Sequence, residues 1–330
     1  MEVLAGDIGG TNARLAIVDG HRVTFVRHYP CREFTNFEQV LSRFLQDLGA
    51  PPPAYACLAM AGAVRDDRVR LTNLSWTVDG DRLASHFGFE AVHLANDFQA
   101  AAIGVTLLGE ESLVPLGGAA PDPSGTKAVL GAGTGLGQAI LVHCGAGYKV
   151  IPTEGGHGDF APRNEEEIAL LRYLLGRFEH VSVEHVLSGA GLMEIFRFLQ
   201  TARELLVAES VTEAMAEEDP AAVITRYALE GVDPLCEATL AFFCRMYGAE
   251  AGNMALRSLT TGGVYLAGGI APKIIPALQA GGFRKAFEAK GRMAPLLREI
   301  PVYVITHPQL GLLGAGVLAT RLAQEASDEG

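Results

Sequence analysis

Residues 1–20 read MEVLAGDIGGTNARLAIVDG, and the fold follows from how this stretch divides. Val3, Leu4 and Ala5 make an apolar strand, Asp7 stands where it ends, and Gly9 and Gly10 let backbone amides approach an anion with no Cβ in the way. Thr11 adds a hydroxyl. Asn12 to Val18 returns to a strand pattern before an Asp19-Gly20 turn, so the loop joins two strands, whereas a dinucleotide fingerprint or a P-loop would run into a helix. The stretch reads as a phosphate-gripping hairpin; a ligand-free turn is the alternative it leaves open.

The beginning repeats. A shift of 125 residues sets GDIGGTNARLAIVDG at Gly6–Gly20 against GAGTGLGQAILVHCG at Gly131–Gly145 and pairs Gly6 with Gly131, Gly10 with Gly135 and Gly20 with Gly145. Each copy follows an apolar strand, Val3–Ala5 or Ala128–Leu130, and this points to a duplicated fold. Ala132 stands where the first copy has Asp7, so only one loop keeps a carboxylate for a metal-bound phosphate.

Between the copies, Thr35 and Glu38 have capping-box spacing ahead of Phe37, Val40, Leu41, Phe44, Leu45 and Leu48, a helical face closed by Gly49. Tyr55 to Ala61 reads as a buried strand, Val64 to Leu71 as a short hairpin, Asp79 to Phe87 as a helix and Val92 to Ala95 as a strand. Asn96 and Asp97 then fall between a strand's carboxyl end and a helix running to about Leu108, where open α/β sheets place ligands. Leu113–Gly125, rich in Pro, Gly and Ala, is the expected boundary between lobes. Ile151–Pro162 is a polar glycine loop leading to a helix capped by Asn164. Helices are expected over 191–208, 211–216, 221–230 and 235–259. A strand at Val264–Ala267 meets Gly268-Gly269 and a helix opened by Pro272. Val302–Thr306 is the last strand, and the closing helix Leu310–Gln324 contains GLLGAG, whose small residues suit close packing or nucleotide contact.

Composition limits the function. A net charge of −12 argues against nucleic acid as a partner, because phosphate backbones need a positive surface. Five cysteines without metal-ligand spacing suit a reducing, cytoplasmic setting, and neither a targeting segment nor an apolar membrane span is visible. With 330 residues, 49% of them hydrophobic, the chain can bury the core of two α/β lobes.

Taken in order, GDIGGTNARLA (6–16), LANDF (94–98), GAGTGLG (131–137), EGGHGDFAP (154–162), EHVLSGAGL (184–192) and YLAGGIAPK (265–273) resemble the bacterial glucokinase family. The likeness spans Gly6 to about Gly316. It implies an α/β, two-lobed, actin-like (ribonuclease H-like) duplicated fold with a nucleotide and sugar cleft between the lobes, the small lobe being 1–108 plus 308–330 and the large one 109–307. It implies ATP phosphates gripped by Gly6, Asp7, Ile8, Gly9, Gly10 and Thr11 and by Gly131, Gly133, Thr134, Gly135 and Gly137, with adenosine near Gly268 and Gly269. Asp7 would lie near Mg²⁺, through water. Asn96, Asp97, Glu154, His157 and Glu184 match the positions that bind D-glucose, and Asp97 matches the catalytic base. Relatives are commonly dimers, which leaves a homodimer open, but no stripe in the sequence marks an interface. A sugar or nucleotide sensor on the same fold, and a kinase for another hexose, stay open. Two features depart from related patterns: Ala63 stands where the family often has proline, and the cysteine-rich zinc motif of the ROK sugar kinases does not occur.

Overall fold

The chain, described here from a computed structural model, forms two compact units. The structure describes residues 1–20, 22–62, 64–71, 74–145 and 147–328; Ala63, the departure noted above, lies outside them. One unit comprises Met1–Gly109, Cys144–Pro152 and the chain from His307 onward, and the other Glu110–His143 and Thr153–Thr306.

The first unit is built from β1 (Glu2–Ile8), β2 (Asn12–Asp19), β3 (Arg22–Pro30), α1 (Phe37–Leu48), β4 (Tyr55–Met60), β5 (Arg68–Arg70), β6 (Thr77–Asp79), α2 (Gly80–Phe87), β7 (Ala91–Asn96) and α3 (Asp97–Gly104). Its main sheet runs β3-β2-β1-β4-β7. The first three strands form an antiparallel meander, and β4 and β7 join in parallel. Because side chains alternate across a strand, the sheet has two different faces. Leu4, Ile8, Leu15 and Leu58 meet Phe37, Val40, Leu41 and Phe44 of α1. Val3, Ala5, Ala16, Cys57 and Ala59 make a face of small residues, against which the C-terminal helix, Leu310–Asp328, lays Leu312, Ala315 and Ala319. The glycines of GLLGAG serve this packing: a Cβ on Gly314 would run into the Ala100 carbonyl of α3, and one on Gly316 would meet Val18.

The second unit contributes β8 (Leu113–Pro115), β9 (Lys127–Ala132), β10 (Leu136–Cys144), β11 (Gly147–Thr153), α4 (Glu165–Leu175), α5 (Gly189–Ala202), α6 (Glu209–Glu217), α7 (Pro220–Leu229), α8 (Pro234–Ser258), β12 (Gly263–Ala267), α9 (Ile275–Gln279), α10 (Gly282–Glu288), α11 (Ala294–Glu299) and β13 (Val302–Ile305). The second sheet runs β11-β10-β9-β12-β13-β8, so its first five strands repeat the order of the first sheet. Leu130, Leu266 and Val304 pack with Phe242, Phe243 and Tyr247 of α8, a 25-residue helix buried on most of its circumference. The duplication is in topology, not in register: Gly6 lies opposite Leu15, but Gly131 lies opposite Gly137.

Several local expectations are corrected. Asn36, not Thr35, caps α1 by accepting from Gln39 N, while Gln39 Oε1 accepts from Thr35 N; the box is shifted by one residue. The expected hairpin at 64–71 is only a tight turn through Asp66 and Asp67, and Arg68–Arg70 pairs instead with Thr77–Asp79. Ile151–Thr153 belongs to β11 and is not loop. Helix α5 stops at Ala202, short of the expected 208, because Glu204 turns left-handed at φ 51°. Pro272 opens a 3₁₀ turn, Ala271–Ile274, and the α-helix starts only at Ile275.

Candidate active site

In the first unit, Gly9 N donates to Asn12 O at 3.0 Å to close the loop after β1, and Cys31 N, just past β3, donates to Thr11 O at 2.8 Å and tethers it. Gly9 and Gly10 are half-exposed and Thr11 is exposed. Asp7 is half-buried opposite Arg14, whose Nη1 lies 3.7 Å from its carboxylate. Burial pushes the Asp7 carboxyl above the usual range, and Arg14 only partly opposes this. A Cβ on Gly311 would stand 3.2 Å from the same carboxyl, so the glycine lets the C-terminal helix begin beside Asp7.

Asn96 ends β7 and caps α3: its Oδ1 accepts from Phe98 N (2.9 Å) and Gln99 N (3.2 Å), and its Nδ2 donates to Gly62 O (3.1 Å). One N–H of that amide remains for a ligand. Asp97 is the first helical residue, and its Oδ1 accepts from Phe98 N at 2.8 Å.

In the second unit, Gly133, Thr134 and Gly135 form the turn between β9 and β10, with Gly133 N donating to Gly135 O. The fully buried Tyr247 hydroxyl accepts from Ala132 N and donates to Leu130 O, which fixes the end of β9 where the turn begins. Gly268, at φ 80°, lies so close to the Ala132 carbonyl that a side chain would not fit. Gly133, Thr134 and Gly269 line a cavity of about 680 Å³ whose apolar walls are Leu192, Ala221, Ala222, Leu229 and Ile270 and whose polar rim is Asp219, Thr225, Arg226, Glu230 and Lys273. That size suits a nucleoside.

Glu154, His157 and Glu184 gather in the same unit. Glu184 N donates to Gly156 O and Val183 N to Gly158 O, both at 2.9 Å, which zips the 183–184 segment to the 154–158 turn. His157 Nδ1 lies 3.9 Å from Glu184 Oε1 and its Nε2 lies 4.0 Å from Glu154 Oε2. Glu184 is not a helix-surface carboxylate: it sits in a turn, and its Oε2 accepts from Leu136 N at 2.8 Å. One residue, Glu184, therefore ties the 133–136 turn to the 154–158 turn.

The glucokinase family model matches residues 4–322. A glucokinase of Nostoc punctiforme is 45% identical over 338 residues, covering 97% of this chain and 99% of that protein. The chain belongs to the glucokinase family. A crystal structure of a glucokinase from an Antarctic psychrotroph superposes with a TM-score of 0.85 at 30% identity, covering 97% of this chain and 99% of the other. A Balamuthia mandrillaris glucokinase in complex with glucose shares the fold, with a TM-score of 0.81 at 23% identity and coverage of 97% and 93%.

Within this glucokinase fold, the first unit carries the 6–11 loop and Asn96-Asp97, and the second carries the 131–137 turn, Gly268-Gly269 and the Glu154–His157–Glu184 cluster. The cavity walls from α7 were missed in the sequence. Their only signal there is the Asp219-Pro220-Ala221-Ala222 helix start, whose small residues leave room beside Gly133. Among the described residues no three His, Cys, Asp or Glu side chains gather as a metal cage. A lone carboxylate, Asp7, beside the 6–11 loop would fit Mg²⁺ held mainly by nucleotide phosphates and water.

Proposed function

We propose that the chain transfers the γ-phosphoryl group of ATP to the C6 hydroxyl of D-glucose, in line, with Asp97 as general base. The observation that carries this is family membership across nearly the whole chain, joined to a carboxylate at the first turn of the helix that follows β7, the edge strand of the first sheet. The loops at 6–11 and 131–137 bind phosphate oxygens, their glycines letting an anion approach the backbone, and the 680 Å³ cavity takes the adenosine. Asn96, Asp97, Glu154, His157 and Glu184 bind the sugar. A hexose presents hydroxyls that both donate and accept, and fixed carboxylates and amides answer each one; an epimer leaves a buried partner unpaired at about 1 to 3 kcal/mol. Asp97 accepts the C6 proton as that oxygen attacks, and the amides of the two loops take up charge on the phosphoryl oxygens. Mg²⁺, held near Asp7 through water, would neutralise β- and γ-phosphate charge. Among the described residues no helix is long and apolar enough to cross a membrane. The five cysteines are all free, which supports a reducing, cytoplasmic setting.

Replacing Asp97 by Asn keeps the shape and removes the base. Glucose affinity should stay within about tenfold while kcat falls by at least about 10²-fold, as general-base losses do. A coupled assay of glucose-dependent ADP formation reads both, and near-normal turnover would refute the role. The same assay with fructose, mannose and glucosamine, and with ADP and polyphosphate as donors, should rank glucose and ATP first.

A further inference from the structure

The sugar turn stands on a buried polar chain that phosphoryl transfer does not itself use. Gln138 of β10 and Glu250 of α8 are each 4% exposed. Gln138 Nε2 donates to Glu250 Oε1 at 3.1 Å, and since a carboxylate only accepts, this bond fixes which way the amide points. Its other end, Oε1, lies directly under Gly155, where it leaves no room for a Cβ. Glu250 is held in turn by Arg257 Nη1 on Oε1 (3.1 Å) and Asn253 Nδ2 on Oε2 (2.9 Å), and Lys290 Nζ donates to Asn253 Oδ1 and to the Ala249 carbonyl. A cavity of about 20 Å³, room for one water, separates Glu250 and Asn253 from Val183, the residue before Glu184, and from Leu187 of the same turn. The chain thus abuts both halves of the sugar cluster, although its members lie more than a hundred residues apart in sequence.

We propose that Gln138 and Glu250 are positioning residues for the sugar: they fix the height of the Gly155-Gly156 backbone above β10 and so aim Glu154 and His157. Those two side chains are 80% and 64% exposed, so their own packing does little to orient them and the backbone beneath must. Burying a carboxylate and an amide is expensive where apolar side chains would pack as well, and the arrangement makes sense when it specifies a geometry. Displacement of a substrate-binding turn by about 1 Å is enough to cost about 10²-fold in rate. The proposal rests on the reading of Glu154 and His157 as sugar ligands.

Gln138→Leu should raise the KM for glucose by about tenfold or more and leave the KM for ATP within about twofold, a misalignment effect of the kind that follows small shifts. Gln138→Glu, which sets two carboxylates face to face, should do the same. Exchanging the pair, Gln138→Glu with Glu250→Gln, rebuilds one donor–acceptor bond with reversed polarity and keeps an acceptor under Gly155, so it should bring the glucose KM back to within about threefold of wild type. A chain that serves stability alone would lower the melting temperature and leave both KM values unchanged, and that result overturns the proposal. If Gln138→Leu does not fold, the swap decides: a folded swap whose glucose KM stays as high as that of Gln138→Glu also overturns it. His157→Ala separates the two readings. If His157→Ala raises the glucose KM and Gln138→Leu does not, the positioning role is wrong; if neither does, the sugar-site reading is wrong.

Discussion

Lys290 shows how far its surroundings can move a single residue. Burial, with Arg163 next in effect, brings its pKa from 10.5 down to about 8, even though its ammonium donates to Ala249 O and Asn253 Oδ1. The folded chain therefore releases this proton before the unfolded chain does. Between about pH 8 and 10.5 the unfolded state binds more protons, so the lysine's contribution to stability rises with pH across that window. Buried Cys236 and Cys244 act in the opposite sense: their thiols are pushed from 9.0 to about 12, so the unfolded state loses protons first and stability falls above pH 9. Subtracting the denaturation curve of Lys290→Met from that of wild type removes the cysteine effect. The difference should climb between pH 8 and 10.5, and a flat difference would show that Lys290 keeps an ordinary pKa.

Among the elements, α3 and the C-terminal helix meet at the closest approach in the first unit, with Gly314 against the Ala100 carbonyl and Gly104 against Leu310 O. A methyl at Gly314 has nowhere to go and must part the helices, at about 1 to 3 kcal/mol. Since α3 begins with Asp97, Gly314→Ala should lower both the melting temperature and kcat, whereas Gly316→Ala, which meets only the Val18 side chain, should lower the first slightly and spare the second. Equal kcat in the two variants would mean that the helix spacing does not govern Asp97. Elements of this kind were legible in the sequence where the signal is local. The glycine hairpins, the α1 face and the strand-to-helix junction at Asn96 follow from period and punctuation within twenty residues. The cap of α3 is Asn96, not Asp97, which leaves the Asp97 carboxylate out of the capping role. What stayed hidden depends on distant partners. Nothing near Leu113–Pro115 shows that it pairs with Tyr303–Ile305, and nothing near Gln138 shows that Glu250 lies beside it. Periodicity reports which face is buried but not what buries it.

At the scale of the whole molecule, the first unit is assembled from both ends of the chain. Val3, Ala5, Ala16, Val18, Cys57 and Ala59 are covered only once Leu312, Ala315 and Ala319 are in place. Ending the chain at Gln309 uncovers that face, while the second unit's own core, with Leu130, Leu266 and Phe243, keeps all its members. Hydrogen exchange on the shortened chain should show protection lost in β1 and β4 and kept in β9 and β12, because local stability follows local burial. Wild-type protection of β1 would mean that the helix is dispensable.

Synthesis on the ribosome gives this discontinuity a timescale. The strands of the first sheet are made early, and roughly 200 residues follow before the helix that covers them; at about 5 to 20 residues per second the uncovered face waits about 10 to 40 s. The second unit, encoded later, is complete by Thr306, before that helix exists. A premature stop between codons 307 and 312 would therefore release a chain whose defect lies in its oldest residues, with a sheet face of alanine and valine exposed to chaperones and to other nascent chains.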